Sequence, residues 1–168
     1  MNPLRWSFRT AFALCALVAA GLLAYAYYAQ LVLELEPCPL CIFQRIAMIA
    51  LFVVATAAAI HAPKSTRSQR VYGVLATLSA FAGVVVAGRH VWLQHLPPDQ
   101  VPACGPGLNY LVETFPVGEM LRKVFTGSGE CAEAHWRFAG LSMPEWTLVA
   151  FALFLAGALY YGFRRYRT

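Results

Sequence analysis

Four long segments without an Asp, Glu, Lys or Arg most constrain what this chain can fold into. Each has 18 residues or more, and they cover residues 10–33, 46–63, 71–88 and 146–163. A helix of about 20 mostly apolar residues crosses the roughly 30 Å hydrocarbon core of a bilayer. Only 12% of the residues are charged, whereas a soluble domain has about 25%. The sequence therefore predicts an all-α membrane protein, a bundle of four transmembrane helices.

The connectors between these segments differ greatly in length. We expect one integral membrane domain over residues 1–168, with spans at about 10–29, 42–61, 71–89 and 145–163. The loops at about 30–41 and 90–144 then lie on the same side of the membrane. Because the second loop is the only long polar segment, it is the natural contact surface for a soluble partner.

The charged residues predict the orientation of the bundle. Eight of the 13 lysines and arginines lie near the termini or between spans two and three: Arg5, Arg9, Lys64, Arg67, Arg70, Arg164, Arg165 and Arg167. All eight acidic residues fall on the other side: Glu34, Glu36, Asp99, Glu113, Glu119, Glu130, Glu133 and Glu145. Loops rich in lysine and arginine stay in the cytoplasm. Both termini are therefore predicted to be cytoplasmic and the two other loops external, and this placement argues against nucleic-acid binding.

The first span has an alternative interpretation as a cleaved signal peptide. Arg5 and Arg9 precede an apolar run, and Ala24-Tyr25-Ala26 resembles a small-residue cleavage site. The run continues, however, through Tyr27 and Tyr28. Tyrosines of this kind are typical of the membrane interface, so the sequence favours a retained transmembrane helix.

A short amphipathic stretch stands out in the long loop. Its apolar residues are too few to cross a bilayer: Tyr110, Leu111, Val112, Phe115, Met120, Leu121, Val124 and Phe125. Pro116 interrupts the stretch, and Glu119 and Lys123 have the i,i+4 spacing of a helical ion pair. A helix lying on the membrane surface and an ordinary helix packed on the protein both fit this pattern.

Four of the five cysteines lie in the predicted external loops, where disulfides form and persist: Cys38, Cys41, Cys104 and Cys131. Cys15 falls inside the first span and is predicted to be a small buried apolar side chain. The external cysteines are therefore the candidates for chemistry.

The motif Cys38-Pro39-Leu40-Cys41 opens the second span. Pro39 suits the first helical position, which makes Cys38 the predicted N-cap residue. The positive end of the helix dipole lowers the pKa of a cysteine placed there. A disulfide across so short a loop contributes only about 2 kcal/mol to stability. The motif therefore predicts a reactive cysteine pair rather than a structural disulfide.

Spacing alone leaves the second cysteine pair open. A disulfide between Cys104 and Cys131 would close a loop of 28 residues, a constraint of roughly 3.6 kcal/mol in the chain-entropy estimate. Both a structural staple and a redox pair fit this value.

Two residues near the external membrane boundary are candidates for ligand binding. Arg45 follows Cys41 by four residues and shares its helix face. It is either an anchor that extends to the interface or a cation that stabilises a thiolate and donates to a carbonyl oxygen of a lipid-soluble ligand. His90 is expected at the same depth, beside Arg89 and one turn before Gln94. For His90, a structural role and a ligand role both remain open.

These motifs resemble the DsbB family, the disulfide bond formation proteins of bacterial inner membranes. The resemblance covers essentially the whole chain. It lies in the four spans and in the segments PCPLCIFQR at 37–45, HVWLQ at 90–94, GECAE at 129–133 and MPEW at 143–146.

The resemblance implies a thiol:quinone oxidoreductase of the bacterial inner membrane. Such an enzyme oxidises DsbA, a soluble periplasmic protein of the thioredoxin fold, and passes the electrons to membrane ubiquinone or menaquinone. It implies that Cys104 forms the mixed disulfide with DsbA and that Cys38 pairs transiently with Cys131. Cys41 would deliver the electrons to the quinone.

The resemblance also gives Arg45 and His90 an expected role, because they match the quinone-contacting positions of the family. Cys15 and the basic residue Arg89 have no role in that pattern.

Other functions stay open. One is a paralogue that serves a specialised thioredoxin-like partner, and another is a non-catalytic protein whose disulfides brace its loop. A third is a membrane protein that binds a metal through its four external cysteines. The absence of a second CxxC argues against a structural zinc site, so the sequence predicts no metal.

Overall fold

The computed structural model describes residues 6–97, 99–101, 113–126, 129–132 and 136–164. Its elements in chain order are α1 (Phe8–Leu31), α2 (Pro39–His61), α3 (Thr66–Gln94), α4 (Val117–Thr126), α5 (Gly129–Ala132), β1 (Arg137–Phe138), β2 (Leu141–Ser142) and α6 (Met143–Phe163). The prediction of a mainly helical chain is confirmed.

The four long helices α1, α2, α3 and α6 are long and apolar enough to cross a membrane. They contain 24, 23, 29 and 21 residues, respectively. Each encloses one of the predicted spans, so the fold class, a bundle of four transmembrane helices, is confirmed.

The boundaries of α3 differ from the predicted span at both ends. The helix begins at Thr66 and ends at Gln94, whereas the predicted span was about 71–89. Arginine and glutamine are good helix formers, so a charged residue marks where the apolar segment ends without ending the helix. As a result, His90 lies on α3, just past the predicted membrane boundary at about residue 89.

Helix α3 packs against both α2 and α6, and α1 packs against α2. The contact between α3 and α6 depends on glycine. A Cβ atom on Gly73 would lie 2.7 Å from Gly162 Cα, and one on Gly83 would lie 2.2 Å from the Phe151 ring. Small residues at helix interfaces let backbones approach closely in membranes. Helix α3 is therefore held firmly against α6.

The outer surface of the bundle carries large apolar side chains. Leu17, Ile60 and Leu153 are 69%, 77% and 70% exposed, respectively. Large exposed apolar side chains on these helices are typical of a surface that faces lipid.

A small hairpin lies directly before α6 in the chain. Strands β1 and β2 pair antiparallel, with Phe138 opposite Leu141. Ala139 and Gly140 both have positive φ, 50° and 84°, as a two-residue turn of this type requires. At the end of the hairpin, the Ser142 hydroxyl donates to Gln94 Oε1 at 2.7 Å. The C-terminal end of α3 and the N-terminal end of α6 are thus joined by a hydrogen bond.

The predicted amphipathic helix is present as α4, which begins directly after Pro116. Val124 is 3% exposed and packs in a cluster with Leu40, Val86, Leu93 and Cys131. The packing of Val124 agrees with the alternative of a helix packed on the protein. Tyr110, Leu111 and Val112 lie outside the described residues, as does the side chain of Lys123, so the predicted pair with Glu119 stays a prediction.

Candidate active site

Cys38 and Cys41 lie at the N-terminus of α2. Cys38 is the N-cap residue and its Sγ accepts a hydrogen bond from the Cys41 backbone N–H, with an N–S distance of 3.3 Å. Pro39 occupies the first helical position, so the local conformation predicted for this motif is confirmed. The two thiols are partly buried, and their Sγ atoms are 2.9 Å apart.

Helix α3 places His90 beside this pair. The imidazole is buried, with 2% exposure. Its Nε2 lies 3.8 Å from Cys38 Sγ and 3.0 Å from the backbone oxygen of Cys131. Cys131, on the short helix α5, is itself 1% exposed. The two sulfurs and a ring nitrogen of His90 all lie within 4.8 Å of one another, so three segments distant in sequence meet at one point.

A buried glutamine orients the histidine. Gln44 Nε2 lies 3.0 Å from His90 Nδ1. Because a backbone carbonyl can only accept, the neutral imidazole carries its proton on Nε2 and donates it to Cys131. Nδ1 is then the acceptor for the Gln44 amide. The sequence analysis missed Gln44; the signal that could have found it is a polar side chain inside an apolar transmembrane segment.

The surroundings of Cys38 oppose the predicted effect of the helix terminus. Its hydrogen bonds with the Cys131 and Cys41 side chains, together with burial, raise the pKa of the Cys38 thiol above its ordinary value. The prediction of a lowered pKa is therefore wrong for Cys38. Removing a thiol from water and sharing its proton with neighbouring sulfurs both favour the neutral form, and together they outweigh the dipole.

Arg45 points to α1. Its guanidinium donates through Nη1 to Gln30 Oε1 and through Nη2 to the Ala26 oxygen, the latter at 3.0 Å. It also lies 5.3 Å from the centroid of the Tyr27 ring. Arg45 therefore connects α2 to the C-terminal end of α1, while His90 contacts the cysteines.

Arg89, for which the sequence indicated no role, binds the C-terminal end of α4. Its Nε donates to the Phe125 oxygen at 2.8 Å and its Nη2 to the Thr126 oxygen at 3.0 Å. These are carbonyls of the last turn of α4, which have no partner within their own helix. The guanidinium also lies 4.1 Å from the Trp92 ring centroid.

The structure thus brings Cys38, Cys41, Cys131 and His90 together and places Arg45 against α1. Cys104, the remaining predicted site residue, lies outside the described residues. Three elements, α2, α3 and α5, converge at one end of the bundle, so the cluster is well suited to exchange between cysteine pairs.

Comparison with known proteins identifies the family. The model of a family described as "Disulfide bond formation protein DsbB" matches residues 8–161. The chain belongs to the DsbB family. It is 52% identical over 168 residues to the "Disulfide bond formation protein B" of Xanthomonas axonopodis pv. citri (strain 306), with 100% of this chain and 98% of that relative covered.

Relatives in other bacteria show the same likeness. The chain is 53% identical over 148 residues to a protein of the same name from Hahella chejuensis (strain KCTC 2396), covering 88% of this chain and 89% of the relative. A third, from Acinetobacter baylyi (strain ATCC 33305 / BD413 / ADP1), is 48% identical over 163 residues, covering 97% and 95%. The resemblance inferred from the motifs is confirmed, and the chain is a disulfide-forming oxidoreductase with four membrane-spanning helices.

Proposed function

We propose that this protein reoxidises a DsbA-like periplasmic dithiol oxidase and transfers the electrons to a membrane quinone. The observation that carries the proposal is the meeting of Cys38 with Cys131 beside His90. The three ligand atoms of these residues lie within 4.8 Å of one another. Disulfide exchange requires a thiolate to reach the sulfur that it attacks, and this cluster meets that requirement across two separate loops.

The exchange can be written as a balanced sequence. Reduced DsbA attacks the Cys104–Cys131 disulfide at Cys104, the role that the family resemblance assigns to this residue, which forms a DsbA–Cys104 bond and releases the Cys131 thiolate. The second thiol of DsbA later displaces Cys104 from this bond, so DsbA leaves as its own disulfide with two electrons fewer. The Cys131 thiolate then attacks Cys38 in the Cys38–Cys41 disulfide, which forms the Cys38–Cys131 bond and releases the Cys41 thiolate. Each step exchanges one S–S bond for another.

His90 is well placed to assist the attack of Cys131 on Cys38. Its Nε2 atom lies 3.0 Å from the Cys131 backbone oxygen and 3.8 Å from Cys38 Sγ. A donor at this position orients the α5 backbone and stabilises negative charge on a nearby sulfur. These contacts support a role in exchange, while contact with a quinone stays a prediction for His90.

Arg45 fits a quinone at the other side of the cysteine motif. A guanidinium has five N–H donors, and the bonds to Gln30 and Ala26 occupy one on each terminal nitrogen. The remaining donors, one turn after Cys41 and beside the Tyr27 ring, suit a flat apolar molecule with carbonyl oxygens. A quinone bound there supplies an acceptor for two electrons and two protons. Ubiquinone and menaquinone both have this chemistry.

The placement of charges supports an orientation with the cysteines in the periplasm. The ends of α1 and α3 and the starts of α2 and α6 share one end of the bundle with the cysteine cluster. Lys64, Arg67, Arg70 and Arg164 lie at the opposite ends of these helices. Lysine and arginine mark the cytoplasmic side. We therefore infer that this is an inner-membrane protein with both termini in the cytoplasm.

Anaerobic mixing of the full chain in lipid nanodiscs with reduced DsbA and a soluble ubiquinone or menaquinone analogue tests the proposal. We expect loss of quinone absorbance over many turnovers. C41S should stop it while mixed-disulfide formation with DsbA continues, and C15S is the matched control that keeps full activity. Undiminished quinone reduction by C41S, or no turnover with either quinone, would contradict the assignment. Turnover with dithiothreitol but not with DsbA would indicate a specialised partner instead.

A further inference from the structure

We propose that the reduced form of this protein binds one zinc ion through Cys38, Cys131 and His90, and that bound zinc blocks the exchange between its cysteine pairs. The sequence analysis considered a metal only through four cysteines. The site inferred here uses a histidine that tertiary structure brings to two of them.

The spacing of the three ligand atoms suits a tetrahedral ion. With Zn–S bonds of about 2.3 Å and Zn–N bonds of about 2.0–2.1 Å, neighbouring S and N ligands lie roughly 3.6 Å apart and two S ligands roughly 3.8 Å apart. Cys38 Sγ and His90 Nε2 are separated by 3.8 Å, and all three ligand atoms lie within 4.8 Å of one another. Small side-chain rotations therefore bring them to coordination distance.

The surroundings of His90 supply the support that a metal-bound histidine needs. Such a histidine donates its other ring N–H to a neighbouring acceptor, which fixes its orientation. The buried Gln44 amide lies 3.0 Å from Nδ1 and becomes that acceptor when the amide turns over and the imidazole proton moves to Nδ1. Nε2 then exchanges its bond to the Cys131 oxygen for the metal.

The ligand chemistry selects the ion and the redox state. Two thiolates and an imidazole favour zinc over magnesium or calcium, which prefer oxygen ligands. Binding releases the two thiol protons of Cys38 and Cys131, with no change in oxidation state. A cysteine in a disulfide has no thiolate to offer, so the oxidised protein lacks the site.

Zinc bound in this way holds Cys38 and Cys131 as metal ligands and keeps them from forming disulfides. This inhibition depends on the proposed function, whereas zinc binding itself does not.

The test uses the full chain in nanodiscs, reduced under anaerobic conditions and freed of reductant. Zinc chloride is titrated against a chromogenic chelator, and released protons are followed in weak buffer. We expect one zinc and about two protons per reduced chain, and no zinc on the oxidised chain. Cobalt added in place of zinc should give thiolate charge-transfer absorption that disappears in C131S.

Variants separate this site from other ways of holding zinc. H90A should weaken zinc binding at least about ten-fold, and Q44A by a similar factor, because supporting groups of this kind contribute 10–100-fold to affinity. H95A changes an exposed histidine at the same end of the protein, and C15S removes a cysteine within α1. These two controls should bind zinc as the unchanged chain does. Because Q44A removes no ligand, it tests the site even where H90A folds poorly.

Three results would overturn the site: equal zinc binding by the oxidised chain, unchanged affinity in H90A and Q44A, or loss of binding in C104S with retention in C131S. The titration contains neither DsbA nor quinone. A titration that shows no zinc binding would therefore not contradict the proposed oxidoreductase function. Likewise, absence of quinone reduction would not contradict zinc binding.

Discussion

The side-chain amide of Gln44 lies 3.0 Å from Nδ1 of His90, and both side chains are buried. This contact joins α2 to α3 at the end of the bundle where the cysteines meet. It also decides which ring nitrogen of His90 is directed at the cysteines, because the ring cannot rotate without losing the hydrogen bond to Gln44. The positions of Cys38 and Cys131 relative to the Nε2 proton depend on this orientation.

Replacing Gln44 by alanine should slow the exchange between cysteine pairs. The change leaves Nδ1 without a donor in a buried position, at a cost of about 1–3 kcal/mol in the free energy of unfolding. We expect kcat for DsbA-dependent quinone reduction to fall about ten-fold, since a 1.4 kcal/mol loss of stabilisation corresponds to that factor. The KM for quinone should stay unchanged. The control is S79A, which removes a hydroxyl that bonds within its own helix. An equal fall of kcat in S79A, or a raised KM for quinone in Q44A, would contradict the role of Gln44 in orienting His90.

Replacing Arg89 by glutamine should loosen α4. The two bonds from Arg89 to the carbonyls of Phe125 and Thr126 are lost, and each charge-assisted bond contributes about 1.5–3 kcal/mol. We expect faster hydrogen exchange in α4 and slower reaction of Cys131 with Cys38, measured by trapping the Cys38–Cys131 disulfide after rapid mixing. R122A, which removes an exposed arginine from α4 itself, is the matched control. Unchanged exchange rates in R89Q would show that other contacts hold α4.

Replacing Arg45 by leucine should raise the KM for quinone. The change removes the donors proposed to bind a carbonyl oxygen, worth roughly 1.5–3 kcal/mol, or about 10–100-fold in affinity. Formation of the mixed disulfide with DsbA should proceed at the normal rate, because we propose that it takes place at Cys104. The measurement is the quinone dependence of turnover beside a DsbA trapping assay. If R45L lowers thermal stability but leaves the quinone KM unchanged, Arg45 serves only to anchor α2 to α1.

Replacing Gly83 by alanine should destabilise the contact between α3 and α6. The new Cβ would lie 2.2 Å from the Phe151 ring, and overpacking of this kind costs typically about 1–3 kcal/mol. The midpoint of thermal unfolding in detergent should fall, and F151L should restore part of it by making room. G88A is the matched control on the same helix, because a Cβ there would meet nothing within 4 Å. Equal midpoints for G83A and G88A would contradict this account of the packing.

Local sequence signals were sufficient to predict the helices and the N-terminus of α2. Each charge-free segment long enough to cross a bilayer predicts one transmembrane span without reference to the others. The proline directly after Cys38 predicts that Cys38 is the N-cap residue of α2. The same signals did not give the ends of α3, because an apolar segment predicts the membrane boundary rather than the last hydrogen bond of a helix. They also gave the wrong direction for the pKa of Cys38, whose neighbour Cys131 is distant in the chain.

The sequence by itself determined that this chain forms a bundle of four transmembrane helices, with Cys38 capping the second. Hydropathy, charge and capping are properties of neighbouring residues and can be read along one dimension. Only the tertiary structure decided that His90 meets Cys38 and Cys131, that Gln44 orients it, and that Arg45 and Arg89 bind α1 and α4. Those contacts depend on how each helix is rotated and shifted against the next, which close packing such as that of Gly73 against Gly162 sets. Rotation and shift are properties of pairs of helices and have no local signature.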